Sequence, residues 1–339
     1  MPEISVLMSV YNGKEFINEA IDSILNQTYS DFELIIINDG STDDTGDIIR
    51  DYKDNRIRLF DLKTNIGVGS ALKYGLTKVQ GRYLAKADAD DINHLQRFKK
   101  QKKVLDDNRE IALVKTLIDY FPHDEITGLS PRYLSMKNIK EKQLNSIITS
   151  EQIKKTLYWW CCIPHNSYMA RAEIIKQVGY EEVRMGEDYK LFYGLNRLGY
   201  KMTTIEEKLV KFRVRNTSIT GSEQDQGDYV NTIYNMKKEE IDKLFKNKKD
   251  IYIWGTGNLG QKLFNLLQKE GFEIKGFIDR YKERQGIVLC EKSVYSPEYL
   301  NECKNSVKVI IAAQPAREEI ANYLDGLGFV DREDYFVFA

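Results

Sequence analysis

The sequence predicts an α/β protein: an open, mostly parallel sheet followed by a second, smaller α/β domain. Three observations carry that prediction. Short apolar runs alternate with segments of helical period four times before Asp91. The runs end in polar clusters, at Tyr11-Asn12, Asn38-Asp39-Gly40 and Asp88-Ala89-Asp90-Asp91, where open parallel sheets collect their ligands. Near residue 250 the pattern restarts, with Ile251–Trp254 followed by Gly255-Thr256-Gly257-Asn258-Leu259-Gly260.

The bounds agree. At 339 residues the chain is long for one domain. It is 42% hydrophobic and 30% charged, with 50 basic against 51 acidic residues for a net charge of −1, so no strong field recruits nucleic acid or anionic lipid. Met1-Pro2-Glu3 lacks the basic and apolar regions of a signal peptide, and no apolar run approaches the ~18 residues of a membrane span. Cys161 and Cys162 are vicinal while Cys290 and Cys303 stand apart, neither a disulfide framework nor a zinc site. The expected home is the cytoplasm, with at most peripheral contact at the inner face of the membrane.

Ile4–Tyr11 reads as a strand that breaks at Asn12-Gly13. Phe16, Ile17, Ala20, Ile21, Ile24 and Leu25 then recur at helical spacing. Phe32–Ile37 is almost continuously apolar, as a strand covered on both faces must be. Ser41 or Thr42 can cap the helix after it, which runs to about Tyr52. A third strand, Arg56 to Leu62, leads through Asn65-Ile66-Gly67 into a helix over Ser70 to Lys78.

The fourth strand, through Tyr83, Leu84, Ala85 and Ala87, ends in three carboxylates. Asp88 and Asp90 are two apart, so on an extended backbone they point the same way. Hard oxygen ligands on one side suit Mg²⁺ or Mn²⁺, completed by substrate phosphates. The alternative is an Asp-rich turn capping the helix that follows at Asn93.

Taken together, Ser9-Val10-Tyr11-Asn12, Ser23–Thr28, Ile37–Asp43, Asn65-Ile66-Gly67 and Ala87–Asp91 resemble the family-2 inverting glycosyltransferases of the GT-A fold, in order, to about Thr220. The resemblance implies that Tyr11 stacks near the base and Asp39 accepts a hydrogen bond from the uracil N–H. It implies too that Asn65, Gly67 and Ala89 line the donor, that Asp88 lies near the ribose and that Asp90 ligates the metal. The family commonly shows Arg-Asn where this chain has Ala71-Leu72-Lys73-Tyr74. Lys73 either reaches the diphosphate as a point charge or is a solvated surface lysine. A carboxylate against a ring N–H selects bases that carry that donor, because a mismatch leaves a buried charge unpaired.

Beyond Asp91, Leu95, Phe98, Val104 and Leu105 mark a helix with a lysine-rich outer face. Residues 121–150 show no clear period and are expected to form a loop and a helix on the acceptor side. In Tyr158–Ser167, Trp160 suits stacking on a sugar ring or belongs to a core, and His165 is a structural or an acceptor-side histidine. Met185–Phe192 opens a helix with Glu187 and Asp188. In the enzymes it resembles, the acid at Asp188 is the general base for the acceptor hydroxyl, with Glu187 its competitor. Phe212–Thr220 resembles a segment where relatives often carry histidine at the position of Arg215; arginine cannot ligate a metal and would clamp the diphosphate instead.

A polar helix over about Tyr229 to Lys246 divides the chain into a transferase domain (1–228), a helical linker (229–248) and a Rossmann-like domain (249–339). In the last, Gly255, Gly257 and Gly260 form G-x-G-x-x-G between strand and helix. Asp279 ends the next strand, Glu273 to Ile278. It resembles the small Rossmann-like domains appended to bacterial surface-polysaccharide enzymes. With about 90 residues left, one mononucleotide-binding half is expected, serving as a second nucleotide site or as a docking or homo-oligomerisation module. The whole reads as a Mn²⁺- or Mg²⁺-dependent inverting enzyme moving a hexose (glucose, galactose or N-acetylhexosamine) from a UDP-sugar to a glycan, lipid-linked or glycoprotein acceptor. The alternative is a nucleotide-binding scaffold with an inactive transferase half.

Overall fold

The computed structural model describes residues 1–183, 185–215, 223–246 and 249–339. The chain forms two compact units: Met1–Leu157 with Cys161–Ser218, and Tyr158–Trp160 with Ile219–Ala339.

The first unit is an eight-stranded mixed sheet. Its strands are β1 Ile4–Val10, β2 Phe32–Asn38, β3 Ile57–Asp61, β4 Tyr83–Lys86, β5 Ile92–Asn93, β6 Ile111–Pro122, β7 Met169–Arg171 and β8 Lys201–Val214, in the order β3-β2-β1-β4-β7-β6-β8-β5. The parallel half is β3-β2-β1-β4, and β7 reverses direction against both β4 and β6. Helices α1 Ile17–Leu25, α2 Thr45–Asp51 and α3 Val68–Leu76 connect the parallel strands, and α4 Arg97–Asp107 follows β5. Ile17, Ala20, Ile21 and Ile24 of α1 close with Ile4, Val6, Met8, Leu34 and Ile36 over the sheet, burying the stripe that the sequence shows.

In the register of this half, Val10 lies opposite Asn38 and Ile4 opposite Tyr83. The chain runs from β1 outward through β2 and β3, then returns to place β4 on the other side of β1. Tyr11, Asp39 and Asp88 follow these strand ends at the switch point, where a crevice forms.

Two long strands, β6 and β8, have no counterpart in the sequence periodicity. They pair in parallel with three register shifts between Ile111 and Ile118. The stretch expected as a loop and a helix contains the end of β6, three short α-helices, α5 Glu125–Gly128, α6 Pro131–Ser135 and α7 Glu141–Asn145, and a π-helical turn over Met136–Lys140; α8 Ser150–Leu157 follows it. Helices α9 Ala172–Val178 and α10 Glu187–Arg197 complete the unit.

The second unit begins with α11 Glu223–Met236 and α12 Lys238–Phe245, the helices expected as a linker. They are part of a core instead: Val230, Ile233, Tyr234, Ile241 and Leu244 are all buried. Lys237 between them is fully buried, its ammonium donating to the carbonyls of Trp159, Val337 and Phe338. The sheet has strands β9 Asp250–Trp254, β10 Gly276–Ile278, β11 Val288–Leu289, β12 Lys292–Tyr295, β13 Val307–Ile311 and β14 Tyr335–Val337, in the order β11-β12-β10-β9-β13-β14. All its pairings are parallel except β11 with β12. Helices α13 Asn258–Lys269, α14 Tyr299–Cys303 and α15 Arg317–Gly326 connect them. With β9 central and four parallel strands around it, this is a doubly wound sheet rather than the single mononucleotide half expected.

Candidate active site

The loops at the switch point are tied to one another by short polar side chains. Asn12, at φ 51°, accepts the Thr42 N–H on its side-chain oxygen at 2.8 Å, and its own N–H donates to Ser41 Oγ at 2.9 Å. Asparagine tolerates that left-handed backbone. Tyr11 beside it remains about half exposed. Asp39 is 3% exposed, and its two carboxylate oxygens accept the N–H groups of Ile66 at 2.8 Å and Gly67 at 3.0 Å. Asn65 Oδ1 accepts the Gly67 N–H as well, and Gly67 itself sits at φ 87°. Asp39 thus holds the turn before α3, and a carboxylate with about four acceptor positions retains room for a ring N–H.

On the other side of β1, β4 ends in a lysine that is 1% exposed. Lys86 pairs with Asp88 and donates to the Ala87 carbonyl at 2.7 Å. Burial alone would raise the Asp88 carboxyl, but the Lys86 charge, His165 and hydrogen bonds from Lys86 and Asn166 hold it at about 2. Lys86 escaped the reading of motifs, although a charge inside an apolar run two residues before an aspartate is a visible signal. Arg97 is fully buried behind it and donates to the Lys86 and Tyr168 carbonyls at 2.9 and 3.0 Å, tying β4 to the chain before β7.

Asp90 and Asp91 are less compensated. Burial and then Asp88 raise Asp90, against Arg215, whose guanidinium lies 3.1 Å from its carboxylate, and Arg213. Asp91 is driven well up by burial and its two neighbours, and accepts the Arg213 N–H at 2.8 Å. Arg213 lies against the rings of Phe16 and Phe121, 4.4 and 4.6 Å from their centres, while donating to the Asp90 carbonyl and to Glu19. It fixes the backbone of the acidic turn. Ala89 in that turn is half-buried. Of the segment expected over the site, Phe212 to Arg215 is described, and 216–220 lie outside the described residues.

Glu187 and Asp188 open α10 beside this cluster, after Gly186 at φ 85°. Burial, then the Asp188 charge, pushes Glu187 up to about 8, and burial raises Asp188 too. His165 bridges toward them: its Nδ1 is 4.0 Å from Glu187, and its Nε2 is 2.9 Å from the Tyr180 hydroxyl, itself bonded to Tyr168. Burial, then Lys86, pushes His165 down to about 3, so it is neutral near pH 7. Cys161, another residue without a sequence signal, points its sulfur at Asp188 from 3.8 Å.

Asp88, Asp90, His165, Glu187 and Asp188 thus form one cluster, with Tyr11, Asp39, Asn65 and Gly67 along the same switch point. Lys73 is instead held in an exposed ion pair with Glu182 at 2.7 Å. Trp160, expected on the acceptor side, belongs to the second unit; it is 2% exposed with Arg317 over its ring, so it has no face for a sugar. Gly255, Gly257, Gly260 and Asp279 also lie in the second unit. Among the described residues no group of three or more His, Cys, Asp and Glu side chains stands ready to hold a metal ion. The acidic turn nonetheless fits one, because burial and, after it, the neighbouring carboxylates raise Asp90 and Asp91, and a divalent cation would offset both with a single protein carboxylate and phosphate oxygens.

The model of glycosyl transferase family 2 matches residues 5–179, just over half of the chain. The chain belongs to that family. The second unit carries a match to the model "C2185-like, N-terminal" over residues 247–333. A glycosyltransferase of Haemophilus influenzae is 28% identical over 269 residues, 78% of either chain. Glycosyltransferase MJ1057 of Methanocaldococcus jannaschii is 30% identical over 268 residues, 75% of this chain and 84% of its own. Among solved structures, Staphylococcus aureus TarS 1-349 superposes with TM-score 0.54 at 15% identity, over 71% of this chain and 66% of that one. Mannosyltransferase PcManGT of Pyrobaculum calidifontis, in complex with GDP-Man and Mn²⁺, gives 0.53 at 16% identity over 71% and 64%. At such identities the likeness is one of fold, and that fold is GT-A. Among the described residues no helix is long and apolar enough to cross a membrane.

Proposed function

We propose that this glycosyltransferase moves a hexose from a UDP-sugar to a glycan, lipid-linked or glycoprotein acceptor with inversion at the anomeric carbon. The observation that carries the reading is the meeting of two acidic stations: Asp88 and Asp90 at the end of β4, and Glu187 and Asp188 at the start of α10, with neutral His165 between them. A direct displacement needs this arrangement, with the leaving diphosphate at one station and a base for the attacking hydroxyl at the other. A divalent cation bound at Asp90 would neutralise charge on the departing diphosphate.

The chain's own groups do the rest. Asp39 offers an acceptor to a uracil N–H, and Tyr11 offers an exposed ring to its face. Asp88, kept ionised by Lys86, orients the ribose. Arg215 can exchange Asp90 for a diphosphate oxygen, since a half-exposed ion pair contributes only ~0–1 kcal/mol. Glu187 and Asp188 titrate as a pair, both raised by burial and Glu187 also by the Asp188 charge, and Asp188 is the member assigned to take the acceptor proton. TarS has been solved with UDP-GlcNAc and PcManGT with GDP-Man, and guanine also carries a ring N–H, so the donor must be tested directly. The four cysteines are free thiols, which suits the cytoplasm inferred for the reaction.

The test is a thermal-shift and calorimetric screen of UDP, UDP-hexoses and GDP-mannose with and without Mn²⁺, on the wild type and Asp90→Ala. A UDP ligand at 100 Kd should add about 2.7 kcal/mol of stability, and the Mn²⁺-dependent part should vanish in Asp90→Ala. Preference for GDP-mannose, or UDP binding indifferent to Mn²⁺ and to Asp90→Ala, overturns the reading.

A further inference from the structure

A cavity of about 300 Å³ opens in the second unit at the carboxyl ends of β9, β10 and β13. Its place is set by topology. The chain builds β10 and β12 on one side of β9, then crosses back to lay β13 and β14 on the other, so the cavity lies at the switch point of a doubly wound sheet.

Gly255 and Gly257 line it, Gly260 follows in α13, and the three differ in what they require. Gly255 sits at φ 125°, and a Cβ there would stand 2.6 Å from the Ala312 carbonyl oxygen; a Cβ on Gly260 would stand 2.0 Å from the Gly255 carbonyl oxygen. Both are demanded by internal packing. Gly257 is not: its φ is −70°, open to any residue, and a Cβ would meet nothing within 4 Å. The space it leaves faces the first turn of the twelve-residue α13, whose N–H groups and dipole favour an anion.

Asp279 does not play the part that the glycine pattern suggests. The acid in that position usually takes ribose hydroxyls, but here it is 5% exposed and already accepts the Thr256 hydroxyl and, at 3.0 Å, the Tyr281 N–H. Arg284 stands 3.5 Å from it. With a third hydrogen bond, from the Thr256 N–H at 3.3 Å, and a cation beside it, Asp279 has fewer open acceptor positions than Asp39 and shapes the loops rather than waiting for a sugar. Positive charge at the cavity comes from Arg284 and Arg280, the latter in an exposed pair with Glu319 that an anion could replace at little cost. Opposite them Ala313 and Ile320 supply an apolar wall. The volume lies at the lower limit of small-molecule sites, roughly 300–1,000 Å³, which suits one nucleotide rather than two.

We propose that this cavity binds a nucleoside phosphate as a second ligand site, apart from the transferase centre, with the phosphate at the start of α13 over Gly257 and the base against Ala313 and Ile320. The test titrates the full chain by calorimetry with AMP, ADP, UMP, UDP, NAD⁺, inorganic phosphate and pyrophosphate. It is repeated on Gly257→Asp, which places a carboxylate at the phosphate position without backbone strain, and on Gly257→Ala. Thermal melting checks that both variants fold. At least one mononucleotide should bind the wild type and weaken tenfold or more in Gly257→Asp, with a smaller loss in Gly257→Ala. Equal affinity for pyrophosphate or phosphate alone would overturn the nucleoside part, and preference for NAD⁺ would overturn the size and Asp279 reasoning. Nucleotide binding that is absent, or unchanged in a folded Gly257→Asp, would overturn the site itself.

Discussion

Replacing Lys86 by methionine removes the buried ammonium paired with Asp88 while keeping side-chain length. Lys86 is 1% exposed and its partner Asp88 about 40%. The drop of the Asp88 carboxyl from 3.8 to about 2 corresponds, at about 1.4 kcal/mol per pH unit, to about 2.5 kcal/mol. That figure is the net of a burial cost and the attractions that outweigh it. His165 and Asn166 share the effect, and water screens a carboxylate this exposed, so we assign the Lys86–Asp88 pair about 1 kcal/mol. Because the folded value is depressed, this stability is present above about pH 4 and fades as the pH falls toward 2.

Methionine also relieves the desolvation of a buried ammonium, so the single variant mixes two effects. A double-mutant cycle with Asp88→Asn separates them. Urea unfolding at pH 7 of the four proteins should give a coupling energy of about 1 kcal/mol, and Lys86→Met should weaken donor binding by freeing Asp88 to rotate. A coupling below ~0.3 kcal/mol, the error of additivity, would show that Lys86 does not hold Asp88 and would refute the positioning role.

Four further outcomes follow from the structure. Asp188→Asn should keep donor affinity and lose transfer by roughly 10²–10⁴-fold; a near-normal rate with an inactive Glu187→Gln would move the base by one residue. Since Glu187 is raised to about 8, its contribution to stability is full below its ordinary range and is lost as the pH rises toward 8, so melting temperature should fall between pH 6 and 9 more in the wild type than in Glu187→Gln. A chain cut after Lys246 should aggregate, because it strands five buried side chains of α11 and α12; exposing these costs roughly 7–15 kcal/mol, as much as a domain's whole stability. A chain ending at Arg215 should run as a monomer on gel filtration only when Trp159 and Trp160 are made polar, since both are buried in the second unit.

The parallel half of the first sheet was legible because β1, β2 and β4 are covered on both faces and its strands end in polar turns, so composition alone marks Phe32–Ile37 and Tyr83–Ala87. The other half was not. In β6, Lys115 interrupts the apolar run yet is fully buried; its ammonium donates to the Leu144 carbonyl, and burial lowers it to about 8. In β8 the run Glu206-Glu207-Lys208 falls where the ladder with β6 shifts register, breaking the two-residue period. The helices α11 and α12 carry enough lysine and glutamate to look like a solvated linker, and only Val230 with Ile233 and Tyr234 three and four on, and Ile241 with Leu244 three on, betray the buried face. Trp160 illustrates the converse: an aromatic next to a site motif in sequence belongs to another core in space.

The titration of the site is ordered by which acid has a cation within bonding distance. Asp88 has buried Lys86 and is lowered; Asp90 has partly exposed Arg215 and is raised moderately; Asp91 has only a backbone N–H and is raised most of the three. Arg213 could have offered Asp91 its guanidinium, but that group is spent on the Asp90 carbonyl, on Glu19 and on two aromatic faces. The acidic turn is therefore fixed through its backbone while two of its three carboxylates stay short of positive charge. A fold selected for stability alone would pair or delete those acids. The divalent cation proposed at Asp90 would supply that missing positive charge from outside the chain.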